Sequence, residues 1–127
     1  MRMPCLSALS FLLLTACATA APTPGPTISL TEHESATVAP GAVLTYDSVA
    51  DSRCPPDVHC VMAGKVVYSF TLKQSDTLEH FTLTPAEPSY KSPVLNGQSI
   101  ALAEPAAPPA SHDTVAAHRV SVRIVAP

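Results

Sequence analysis

An all-β domain is predicted by three features of this 127-residue chain. Apolar and polar residues alternate in several short runs, Gly, Pro and Asn separate those runs, and no ten-residue segment beyond the leader has helical apolar spacing. A small antiparallel β-sandwich is the expected architecture, with a partly open barrel as the alternative. Charged residues make up 13% of the chain and aromatics 5%, while Pro occurs 14 times, a composition suited to short strands and irregular loops. The length allows one compact domain once targeting sequence is set aside.

Residues 27–31 alternate, with Ile28 and Leu30 on one face, and predict the first strand. Residues 32–40 are polar and read as a turn or an extension through Val38. A second strand is predicted over 43–49, where Leu44 and Tyr46 oppose Thr45 and Asp47. Residues 65–73 give the strongest strand pattern: Val66, Tyr68, Phe70 and Leu72 form a core face, and Val67, Ser69, Thr71 and Lys73 the other. After the polar turn Gln74-Ser75-Asp76, residues 78–84 return as its hairpin partner, with Phe81 and Leu83 inward and His80, Thr82 and Thr84 outward.

Residues 85–97 hold three prolines and an Asn96-Gly97 turn signal, and read as a loop. A short strand around Ile100 and Leu102 follows over 98–103. A second proline-rich loop spans 104–113, and the last strand is predicted over 115–125. Val120, Val122 and Ile124 then share one face, Arg119, Ser121 and Arg123 the other. One helical turn fits at most within 114–119. The expected total is six or seven strands.

The N-terminus is a targeting segment. Arg2 supplies a basic n-region, and residues 6–14 an apolar run far short of the roughly 20 residues that span a bilayer. Leu14-Thr15-Ala16-Cys17 resembles the bacterial lipobox. The resemblance implies cleavage before Cys17, lipidation of its sulfur by a diacylglyceryl group with further acylation such as palmitate, and loss of Cys5 with the leader. Ala18 after the cysteine implies the outer membrane, facing the periplasm. Residues 1–16 are thus the expected lipoprotein signal peptide, residues 17–26 the lipidated cysteine and a Pro-rich tether, and residues 27–127 the β-sandwich domain. About ten residues at roughly 3.1 Å each would give the tether a reach of about 30 Å. The formal charge of −3 becomes −4 when Arg2 is removed, leaving six basic against ten acidic residues, and gives no nucleic-acid footprint.

Asp51-Ser52-Arg53-Cys54-Pro55-Pro56-Asp57-Val58-His59-Cys60-Val61-Met62-Ala63-Gly64 is the stretch around which the strands are arranged. Five residues separate its cysteines, two of them adjacent prolines that fix φ. In an oxidising compartment this predicts a Cys54–Cys60 disulfide, with a loop-closure contribution of about 2 to 2.5 kcal/mol. Gly64 is expected to serve a bulge or tight bend before the next strand. The pattern D-S-R-C-P, a second cysteine separated from the first by five residues, and then Ala-Gly resembles a group of small, largely uncharacterised bacterial envelope proteins. Met62 stands where that group carries Trp and is expected to fill a similar apolar gap. The resemblance implies no activity.

Asp51, Arg53, Asp57 and His59 form a possible binding loop. Arg53 could capture a carboxylate or phosphate. The favoured reading is that Asp51 accepts backbone N–H groups and Arg53 pairs with an acid, together pinning the loop. A copper-binding reading draws on His59, Cys60 and Met62, with His33, His80, His112 and His118 elsewhere. It conflicts with a disulfide that removes both thiolates, and His118, in phase with Val120, fits the edge of the core. No metal or cofactor is expected. Neither Gly-x-Ser-x-Gly, His-Glu-x-x-His nor a glycine-rich phosphate loop occurs, so no catalytic residue is assigned and the protein is not expected to be an enzyme. The expected function is a non-catalytic binding or structural role at the cell envelope. Its partners would be the membrane, through the lipid anchor, and an envelope protein. Competing readings are a periplasmic copper-binding protein and a protease-inhibitor-like module that presents the stiff loop.

Overall fold

The computed structural model describes residues 21, 25–104 and 119–127. Its strands are β1 (Thr27–Thr31), β2 (Ser35–Ala39), β3 (Ala42–Asp51), β4 (Val66–Gln74), β5 (Thr77–Leu83), β6 (Ser89–Lys91), β7 (Ser99–Leu102) and β8 (Arg119–Val125). They form two antiparallel four-stranded sheets, ordered β1-β8-β7-β6 and β2-β3-β4-β5. The sheets do not close into a barrel, so the architecture is the predicted sandwich. There is no helix among the described residues.

Each inner face follows from strand alternation. Leu44 and Tyr46 of β3, Val66, Tyr68, Phe70 and Leu72 of β4, and Phe81 and Leu83 of β5 are buried. They meet Leu30, Ile100, Leu102, Val120 and Val122 from the opposite sheet. Ile124 packs against this core while remaining partly exposed. Rings run through the core in sequence. Tyr46 lies 6.2 Å from Tyr68 and 5.4 Å from Phe70, Phe70 stacks on Phe81 at 5.5 Å, and Phe81 stacks on Tyr90 at 4.3 Å. The last contact joins the edge strand β5 to β6 of the other sheet. Glu79 reinforces that edge by accepting the buried Ser92 hydroxyl at 2.6 Å.

Two expectations need correction. Residues 35–39 form a full strand, β2, paired with β3 and interrupted by an irregularity between Thr37 and Ala39. Residues 85–97 are not all loop, because Ser89–Lys91 is a strand paired with β7. Three residues are too few to show a period, and β6 is held by Tyr90 stacking rather than by a repeated apolar pattern. The described strands therefore number eight. The last of them begins at Arg119; positions 115–118 of the predicted strand, together with His112 and His118, lie outside the described residues.

Chain direction determines what each end of the sandwich carries. Glu34 N–H donates to the Thr31 carbonyl at 3.0 Å, so β1 and β2 reverse there, with His33 at φ 67°. β2 and β3 reverse at Pro40-Gly41, and β4 and β5 at Ser75-Asp76, where Gln74 pairs with Thr77. Thr27 thus enters at the end that bears the latter two turns. The β3–β4 connection, which contains both loop cysteines, leaves from the opposite end. The ten residues of β3 separate the two ends by about 33 Å at roughly 3.3 Å per residue.

Candidate functional site: the disulfide loop

The loop opens where β3 and β4 stop pairing, at Asp51 opposite Val66. Ser52 closes its base. Its N–H donates to the Lys65 carbonyl at 2.9 Å, and its hydroxyl accepts from Lys65 N–H at 3.1 Å while lying 3.1 Å from the Lys65 carbonyl. Gly64 sits so close to this base that a Cβ would collide with the Ser52 carbonyl. The expected bulge or bend is therefore not the reason for this glycine; close backbone approach is.

Asp51 accepts a backbone N–H, and the acid that pairs with Arg53 is Asp51 itself. The guanidinium grips the carboxylate through Nε at 2.9 Å and Nη2 at 2.6 Å, and Arg53 N–H donates to Oδ1 at 3.1 Å. The paired side chains retain 20% and 25% of their exposure. The Arg53 hydrogen bond holds the Asp51 carboxyl below its ordinary pKa, outweighing burial, and the same bond raises Arg53. The charges of both reach Tyr68, whose hydroxyl is pushed up mainly by burial. An Asp accepting the N–H two residues on is a local turn device, so much of the pair's bonding capacity serves the loop itself.

Beyond Arg53, Cys54 and Cys60 form the expected disulfide, with Cα atoms 5.8 Å apart. The Pro55-Pro56-Asp57 segment makes the reversal this requires. Asp57 adopts φ 66°, a left-handed conformation that Asp tolerates better than most residues. His59 is exposed. The residues around it are apolar and uncovered: Val58 is 48% exposed, Val61 103% and Met62 80%. Met62 fills no apolar gap, contrary to expectation. Its side chain lies open to solvent on the arm that returns from Cys60 to Gly64.

Among the described residues, no other histidine converges on this loop. His33 occupies the β1–β2 turn and His80 lies on β5, and no three His, Cys, Asp or Glu side chains form a metal-sized group among the described residues. Both loop thiols are spent on the disulfide.

A second cluster was not foreseen. The register between β3 and β4 shifts between Tyr46 and Ser48, leaving Asp47 as the extra residue of a bulge. The Asp47 carboxylate accepts the Thr71 hydroxyl at 2.7 Å, and Thr71 Oγ1 lies 2.9 Å from His80 Nδ1. The Thr71–His80 half follows from counting back from the Gln74–Thr77 turn. The bulge that adds Asp47 leaves no such signal.

Compared with family models, with curated proteins and with solved structures, the chain gives no match.

Proposed function

We propose that the chain is a lipid-anchored protein of the bacterial cell envelope with a non-catalytic binding role, and that the Cys54–Cys60 loop is its contact surface. The observation that carries this reading is the exposed apolar trio Val58, Val61 and Met62 on a loop fixed at two levels. The disulfide clamps its tip and the Ser52–Lys65 and Asp51–Arg53 bonds clamp its base. A small apolar prong held rigid in advance loses little entropy when a partner covers it. With Cys17 lipidated and residues 18–26 as tether, Thr27 would face the anchoring membrane and the loop would point away from it. That orientation favours an envelope protein, rather than the anchoring bilayer, as the partner.

The test is a photocrosslinking residue at Met62 in the full-length protein expressed in its own envelope, with a control at exposed Thr37 on β2. A discrete adduct from Met62 and none from Thr37 is expected. Adducts of equal yield from both positions would overturn the assignment of the loop as contact surface.

A further inference from the structure

The Asp47–Thr71–His80 cluster lies on the outer face of β3, β4 and β5, away from the disulfide loop, and borders an open concavity of about 340 Å³ lined by Asp47, Ser69, His80 and Thr82. Phe70 and Phe81 complete the lining, but their side chains are buried, 1% and 7% exposed. Proton accounting fixes the imidazole. An ionised Asp47 can only accept, so the single Thr71 proton points to it, and Thr71 Oγ1 must then accept from His80 Nδ1–H. Neutral His80 therefore carries its lone pair on Nε2 in an orientation set by a bulge, a hydroxyl and a carboxylate.

We propose that this concavity binds a neutral saccharide, with His80 Nε2 accepting a sugar hydroxyl and the Ser69 and Thr82 hydroxyls completing the contact. The chemistry of the lining selects this class. An anion would face the Asp47 charge without a lysine or arginine to offset it among the lining residues. A cation would find one carboxylate and one imidazole, short of a coordinating set. An apolar ligand would gain little, since both Phe rings are turned into the core. Hydroxyl-bearing ligands match groups that can both donate and accept, and an open sheet face admits a ring without enclosing it.

The experiment uses the soluble domain with its leader and lipid site removed alongside the full-length protein, at a pH where imidazole is neutral. ¹⁵N–¹H correlation spectra of the histidine ring are expected to show His80 as the Nδ1–H tautomer, switching to Nε2–H in Thr71→Val, which keeps the β-branched shape. Titration with maltose and with N,N′-diacetylchitobiose is expected to move the Ser69, His80 and Thr82 resonances for at least one of them. Affinity should fall about tenfold in His80→Ala, as for one lost hydrogen bond. An Nε2–H tautomer in the wild type, no response at these residues to either sugar, or an unchanged affinity in His80→Ala would each overturn the proposal.

Discussion

At the scale of single residues, the loop base rests on three side chains, those of Ser52, Asp51 and Arg53, and on one missing one. Gly64 cannot accept a Cβ because the Ser52 carbonyl occupies the space, and both are backbone positions tied to paired strands. Gly64→Ala is therefore expected to destabilise the domain by about 2 kcal/mol, as overpacking against fixed atoms does, read as a lowered urea midpoint at unchanged slope. Asp51 supplies a pH signature. Its folded pKa is depressed, chiefly by the Arg53 hydrogen bond, so its contribution is present above the unfolded value of about 3.9 and is lost as pH falls through the folded value. Solvent screening limits the pair to at most about 1 kcal/mol. Urea melts of wild type and Asp51→Asn should differ by that amount at pH 7 and converge as the pH is lowered below about 4.

Among elements, legibility in the sequence followed length and period. β4 could be read because four buried residues recur at every second position, and β1 because the partly buried Ile28 and the buried Leu30 alternate with exposed residues within bounds that the polar turn marks. β6 could not, since three residues with one partly buried tyrosine among them show no period. The candidate loop was legible as a disulfide, set by short spacing, and as an arginine paired with an acid, though not in the choice of Asp51 as that acid, whereas Met62 exposure depends on how the loop lies in space. The two levels of the loop can be separated. Because Ser52 and Lys65 bond independently of the cysteines, Cys54→Ser/Cys60→Ser is expected to retain the β circular-dichroism spectrum and lose about 2 kcal/mol of stability in urea melts. Intact mass after alkylation without reductant should show both loop thiols blocked in the wild type and no change on alkylation at these positions.

For the whole molecule, the proposed arrangement joins a lipidated Cys17, a tether and a sandwich whose two ends differ in role. Cys17→Ser is expected to move the protein from the membrane to the soluble fraction, because more than one acyl chain is what makes anchoring stable. A membrane fraction unaltered by that substitution would remove the anchor from the account. Strand direction places Thr27 and the disulfide loop at opposite ends of β3, and with the proposed anchor at Cys17 this turns the loop away from the membrane. The central claim is that a preorganised loop, and not the sandwich face, makes the contact with the envelope protein. Its most direct test is the adduct yield from a photocrosslinker at Met62 in the anchored protein, compared between the wild type and Cys54→Ser/Cys60→Ser at equal expression. The account predicts a severalfold lower yield once the clamp is removed from a domain that remains folded, whereas an undiminished yield would contradict it.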